Sequence, residues 1–315
     1  MCPARSHVFI GGRDRGLAWL RRLANRNQLP AAVYCLREDD HEAEKYSPQI
    51  MELCHENGVP CYPRKTLKAE HEDRILALAP DLIVVMGWRT LISDRVLSAA
   101  RNGSVGVHES LLPAYRGFAP VNWAVINGES RTGVTLFHMT ATGIDDGDIV
   151  AQAAIPIGEH DTAAEVYRAT ALASLDLLES HFDRLLDGTG PRTPQDEGRA
   201  TYTCSRTPED GGIDWARPTR EIHNLVRGLS HPYPGAFSHM TNIRYRIWSG
   251  RPVENARTFV GRIPGRIVAI GPDGIEVLTG DGSYRVMTAG EDGRDAVPAQ
   301  TLFKSVRSGF SGHIR

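Results

Sequence analysis

Three short apolar runs, His7–Gly11, Ala31–Leu36 and Asp81–Met86, constrain the fold most, because each is too short for a buried helix and is followed by an amphipathic stretch. Leu17, Leu20, Leu23 and Ala24 mark a helix after the first run, and a second helix falls near Ile50–Cys54. A short strand at Val59–Tyr62 precedes a helix through Ile75–Leu78. This β-α-β-α-β alternation predicts a parallel sheet with helices on both faces, a Rossmann-like α/β arrangement. Gly11, Gly12 and Gly16 follow the first strand without the GxGxxG spacing, so they read as a tight strand-to-helix turn and not as a dinucleotide fingerprint.

Further strands are expected at Ser104–His108, Thr132–Met139 and Ile149–Ile157, with a short helix at Ala119–Asn127. Ala163–Leu186 reads as a long helix with Val166, Ala169, Ala173 and Leu177 on one face. It stops at Asp187-Gly188-Thr189-Gly190-Pro191. The expected organisation is a domain over residues 1–188, a linker over 189–204, a small domain over 205–308 and a tail over 309–315. The small domain holds a helix at Thr219–Leu229 and short strands at Ala236–Met240, Tyr245–Trp248, Arg266–Ile270, Ile275–Leu278 and Tyr284–Thr288. Short strands separated by turns such as Pro272-Asp273-Gly274 predict a small C-terminal β-barrel of the OB-like type.

Composition narrows the partners. The formal charge is -2 and the sequence pI about 6.6, which gives no electrostatic reason to expect nucleic acid, despite a slight basic excess after Cys204. The five cysteines, Cys2, Cys35, Cys54, Cys61 and Cys204, include no CxxC pair, which argues against a disulfide framework and a zinc site. The first nine residues lack a targeting pattern and no apolar run could span a bilayer, so a cytoplasmic protein without membrane contact is expected.

The chemistry is expected between Ser104 and Asp148. Period-two alternation puts Ser104, Gly106 and His108 on one side of a strand, with His108 at its carboxyl end, where open α/β sheets carry reactive groups. A rigid polar loop follows, and Gly143-Ile144-Asp145-Asp146-Gly147-Asp148 makes an acidic turn further on. Acyl transfer to an amine needs a group that manages protons, a carboxylate that orients it and a donor to the oxyanion. His108 and Asp145 supply the first two if the fold brings their loops together. Without that, His108 is a packed strand-end histidine and Asp145 an ordinary turn residue.

Val107–Pro113, the Tyr115-Arg116-Gly117 run ending at Pro120, and Ile144–Asp148 together resemble the 10-formyltetrahydrofolate-dependent formyltransferases. Asn122-Trp123-Ala124, Asn127-Gly128-Glu129 and Thr132-Gly133-Val134-Thr135 extend the resemblance, as do Ala200-Thr201-Tyr202, Ile213-Asp214-Trp215, Arg227-Gly228-Leu229 and Pro232–Phe237. It covers roughly Asp81 to Trp248, while the N-terminal region matches only in pattern. The resemblance implies 10-formyltetrahydrofolate as donor and no metal. It makes His108 the general acid/base and Asp145 the carboxylate that supports its charged form. It lines the folate pocket with Thr90, Leu91, Ile92, Leu112, Pro113, Thr142, Gly143 and Ile144, and brings Ser110, Arg116 and Trp123 to the acceptor. For Arg116 and Trp123 the alternatives are a salt bridge and a core anchor. A homodimer is left open.

One position departs from that family. Its signature is Asn-x-His, and the Asn position here is Gly106. Losing one such oxyanion donor costs about 3 kcal/mol of transition-state stabilisation. Water, a backbone N–H or Ser104 substitutes for the amide, or Gly106 makes room for a different acceptor, or transfer is lost and folate binding remains. Three amine acceptors are in play: a nucleotide-linked 4-amino sugar, which leads narrowly; an N-hydroxyornithine used in siderophore assembly; and initiator methionyl-tRNA, which the near-neutral charge disfavours.

Overall fold

The computed structural model describes residues 6–39 and 44–311. Cys2 and residues 312–315 of the expected tail lie outside the described residues. The order begins β1 (His7–Gly11), α1 (Arg13–Asn25), β2 (Ala32–Leu36), α2 (Ser47–Glu56), β3 (Cys61–Arg64), α3 (Ala69–Leu78), β4 (Leu82–Met86), α4 (Asp94–Leu97) and β5 (Ser104–His108). It continues with β6 (Arg116–Gly117), α5 (Pro120–Ile126), β7 (Arg131–His138), β8 (Ile149–Pro156) and α6 (Ala163–Leu186). The chain folds as two compact units: residues up to Gly117 with Gly133–Ile155 and Ala169–Tyr202, and Phe118–Thr132 with Pro156–Arg168 and everything from Thr203.

In the first unit seven strands run in the order β3-β2-β1-β4-β5-β7-β8. β1 to β5 are mutually parallel, as the alternation predicts. β7 pairs with β5 in the antiparallel sense, with Val105 opposite His138 and His108 opposite Thr135, so the sheet is mixed. Because successive side chains point to opposite faces, each buried strand feeds two cores. Phe9, Val33, Val84 and Val105 meet Trp19, Leu20, Ile50 and Phe182 from α1, α2 and α6 on one face. Val8, Ile10, Tyr34, Ile83 and Val85 meet Ile75 of α3 and Val96 of α4 on the other. The strand order reverses between β1 and β4, where Gly11 is required: a Cβ there would strike the Met86 carbonyl.

The segment 189–204, expected as a linker, is laid along the first unit as far as Tyr202. Thr193 pairs with Ile149 through N–H···O bonds of 2.7 and 2.9 Å. Tyr202 and Thr203 form β9, which the strand pattern did not reveal.

The second unit adds α7 (Thr219–Leu229), β10 (Ala236–Met240), β11 (Ile243–Pro252), β12 (Ile267–Gly271), β13 (Gly274–Leu278), β14 (Ser283–Glu291), β15 (Val297–Pro298) and α8 (Ala299–Leu302). The antiparallel sheet runs β10-β11-β14-β13-β12, with β15 on β14. Ile222, Val226 and Leu229 of α7 pack into its core with Ile247, Val277 and Tyr284. The expected tail departs from the sequence reading over Gly309–Ser311. Gly309 bridges Arg266 beside β12, and Ser311 bridges His239 of β10, so this short segment joins the two edges of the sheet. Phe310 between them is buried and stacks on Trp215 at 5.4 Å, which gives the chain end an aromatic anchor. Among the described residues no helix is long and apolar enough to cross a membrane.

Candidate active site

The β5 pleat places Ser104, Gly106 and His108 on one face, as expected, but the three have different environments. Ser104 is buried and its hydroxyl donates to the Leu97 carbonyl at 2.8 Å, which removes it as a substitute oxyanion donor. His108 is also buried. Its Nε2 lies 2.7 Å from the Tyr115 carbonyl oxygen. A carbonyl can only accept, so Nε2 carries the hydrogen. Nδ1 faces Asp145 Oδ2 at 3.4 Å. The fold therefore brings together the two residues assigned to proton handling.

Asp145 is held from three directions. Its backbone is left-handed, with φ 51°, an uncommon conformation for a residue with a side chain. Gly117 N–H donates to its Oδ2 at 2.9 Å, and Gln195 Nε2 donates to its carbonyl at 2.7 Å and to the Gly147 carbonyl at 2.8 Å. Thr140 and Thr142 donate to the neighbouring Asp146 carboxylate at 2.5 and 3.0 Å, knotting the start of the loop to its end.

Arg116, expected at the acceptor, is 1% exposed and turned into the protein. It donates to Gln195 Oε1, to both Glu197 carboxylate oxygens at 2.6 and 2.9 Å, and to the Tyr202 hydroxyl at 3.0 Å. The Glu197 hydrogen bond raises the guanidinium pKa above its ordinary value. Ser110 is also turned inward. Its hydroxyl donates to the Ala114 carbonyl at 2.6 Å, and Thr135 Oγ1 donates to the Ser110 carbonyl at 2.7 Å. Leu112 N–H donates to that same threonine oxygen at 3.0 Å, and Gln152 Nε2 donates to the Leu112 carbonyl. The Leu112–Pro113 peptide is cis. Arg15 and Glu109 form a largely buried ion pair at the loop's base. These polar groups shape the loop that carries Tyr115 to His108.

The residues expected to line the folate pocket sit on three segments, one of them the Leu112–Pro113 loop just described. Thr90 and Leu91 are exposed, and Ile92 packs partly against the second core. Thr142, Gly143 and Ile144 are exposed on the loop before Asp145. Beside that loop lies a cavity of about 340 Å³ bordered by Leu97, Ser104, Met139, Thr140, Gly147 and Arg192. Met139 is the residue the sequence reading missed there. A Cβ at Gly106 would lie 2.9 Å from its sulfur and 3.1 Å from its Cγ, so the thioether occupies the space beside the glycine. Gln195, Glu197 and Tyr202 were missed as well. Their one sequence signal is a polar run inside an otherwise Pro- and Gly-rich stretch.

Trp123 belongs to the second unit. Its Nε1 donates to the Cys204 carbonyl at 2.8 Å, and Arg206 stacks on its ring at 4.5 Å. Arg206 donates to the Asp210 carbonyl, and desolvation pulls its pKa below the ordinary value. A cavity of about 200 Å³ next to it is lined by Ala119, Asn122, Leu229, Tyr233 and Pro234. Cys35, Cys54, Cys61 and Cys204 are free thiols. Among the described residues no group of three or more His, Cys, Asp or Glu is arranged to hold a metal ion.

The formyl transferase family model matches residues 6–179, and that of the formyl transferase C-terminal domain matches residues 206–307. Similar solved structures share the fold at low identity. The N-formyltransferase from Helicobacter canadensis, in complex with folinic acid and dTDP-3-aminofucose, is 18% identical with a TM-score of 0.69, over 90% of this chain and 98% of that one. WlaRD, a sugar 3N-formyl transferase crystallised with dTDP and 5-N-formyl-THF, is 18% identical with a TM-score of 0.66, over 92% and 99%. HypX from Aquifex aeolicus, in complex with tetrahydrofolic acid, is 18% identical with a TM-score of 0.62, over 96% of this chain. The present chain spans about half of that HypX chain, 47% of its length. Matched along both of its parts, the chain belongs to the formyl transferase family.

Proposed function

We propose that this enzyme moves the formyl group of 10-formyltetrahydrofolate to the amine of a small acceptor, with a nucleotide-linked amino sugar as the leading candidate. The observation that carries the reading is the His108–Asp145 pair at the carboxyl end of β5, in a chain of this family. Donor identity is supported by the folates in the related structures, and the acceptor class by the two sugar enzymes among them. The sequence reading favoured a 4-amino sugar. The two sugar enzymes act on or bind 3-amino sugars, so the position of the amine is a question for the acceptor panel.

The geometry suggests how the protons move. With the Nε2 hydrogen on the Tyr115 carbonyl, the lone pair of the neutral ring is on Nδ1, on the Asp145 side. The amine nitrogen attacks the formyl carbon and a C–N bond forms. His108 takes the amine proton and becomes a cation beside the Asp145 carboxylate. As the bond from carbon to folate N10 breaks, that nitrogen takes a proton back from the ring and tetrahydrofolate leaves. Thr142–Ile144 and the Met139 cavity are the proposed donor contacts. Trp123 is kept as a proposed acceptor contact. Arg116 and Ser110 are reassigned to holding the loops.

Gly106 favours one rival. With Met139 beside it in place of an amide, the site resembles a folate-binding module that has lost transfer. Incubating the protein with 10-formyltetrahydrofolate and a panel of amino-sugar nucleotides and hydroxylated diamines, read by mass spectrometry, separates the two. The expected result is a formylated product whose rate of formation drops about 10²- to 10⁴-fold in His108→Ala. Tight folate binding with no product from any acceptor would sink the transferase reading. A gain from near zero in Gly106→Asn/Met139→Ala would then identify a degenerate site.

A further inference from the structure

The Gln195 side-chain amide uses both its donors and its acceptor around the loop that presents Asp145. Both N–H donors are spent on that loop's main chain, at Asp145 O (2.7 Å) and Gly147 O (2.8 Å). The amide oxygen accepts twice from Arg116, from Nε at 3.1 Å and Nη2 at 2.8 Å. Arg116 is in turn fixed by Glu197 and Tyr202. Gln195, Glu197 and Tyr202 span eight positions of a segment whose composition reads as a linker, and the fourth member is the arginine next to Gly117. The grip therefore comes from two sides. Gly117 N–H takes the Asp145 carboxylate directly, and the Arg116 side chain takes the Asp145 backbone through Gln195.

We propose that Gln195 is a positioning residue for the transfer step, holding Asp145 in its left-handed conformation so that the carboxylate faces His108. The inference rests on the proposed role of that pair. A residue at φ 51° returns toward ordinary backbone angles when its restraints are released. Gly117 supplies the restraint on its carboxylate, and Gln195 supplies the one on its carbonyl. Losing the second lets Oδ2 swing away from both Nδ1 and the Gly117 amide. Displacement by about 1 Å at a reacting pair lowers a rate by up to about 10²-fold.

Two substitutions separate positioning from simple anchoring of the segment. Gln195→Glu keeps an oxygen for Arg116 but loses both N–H donors to the loop, and Gln195→Met loses everything. Both should lower kcat about ten- to a hundredfold while KM for each substrate stays within about threefold. Amide hydrogen exchange by NMR supplies a readout that needs no turnover. The Gly117 amide, bonded to the Asp145 carboxylate, should lose about tenfold protection in both variants. The Arg116 amide, bonded to Thr201 O, should keep its protection in Gln195→Glu. A Gln195→Glu enzyme with wild-type kcat, or unchanged Gly117 protection in both variants, would overturn the proposal. If wild-type protein transfers no formyl group, the functional reading fails while the Gly117 exchange still reports on Gln195.

Discussion

Arg116 and Arg206 show how the same side chain serves two ends. Arg116, in the first unit, is 1% exposed and surrounded by acceptors: Gln195, both oxygens of Glu197 and the Tyr202 hydroxyl. Its pKa is raised by the Glu197 bond. Arg206, in the second unit, is partly buried against the Trp123 ring, and desolvation outweighs the nearby Asp210 charge and lowers its pKa. A guanidinium with every direction matched is a fastener, because any new ligand would have to displace a bond already made. One that is desolvated, stacked and bonded to a single carbonyl retains donors for an incoming anion or carbonyl. The resemblance marked Arg116, with Ser110 and Trp123, for the acceptor; the packing makes Arg116 a fastener.

Three substitutions sharpen or break that contrast. Arg116→Ala has the largest expected effect, a loss of about 2–3 kcal/mol in stability from several charge-assisted bonds, read as a lower urea midpoint at constant slope. The partner Glu197 is exposed and can rehydrate, which keeps the loss below that of a fully buried pair. Tyr202→Phe removes one of those bonds and should lower stability by about 1 kcal/mol. Arg206→Ala should change stability by less than about 1 kcal/mol, because one cation–π contact is lost at a partly solvated site. If Arg206→Ala destabilises as much as Arg116→Ala, the two arginines do the same job.

The fold was legible wherever a local pattern decides it. His7–Gly11, Ser104–His108, Ala163–Leu186, Thr219–Leu229 and Ala236–Met240 coincide with their expected spans, because each is a run of period two or 3.6 bounded by a turn signal. Short elements such as α4, β6, β9 and α8 carry too few residues for a period. β7 was expected as a strand, but its antiparallel pairing with β5 depends on a long connection that composition does not specify. The site divides the same way. His108 announces itself by its place on a strand, and Asp145 by an acidic turn. Gln195 and Met139 act through residues about 50 and 33 positions away, and no local pattern encodes a contact of that separation. Ser110 lies in a recognisable motif, yet its hydroxyl faces inward to Ala114, a direction only the folded loop determines.

Gly309–Ser311 leads to a practical consequence. These residues touch Arg266 beside one sheet edge and His239 on the other, with Phe310 seated on Trp215 between them. Removing the last seven residues would look harmless in the sequence. It would uncover two rows of unpaired backbone groups at once, together with an aromatic cavity. A chain shortened in that way presents sticky borders to its copies, so its failure would take the form of self-association and precipitation, even with the catalytic residues untouched.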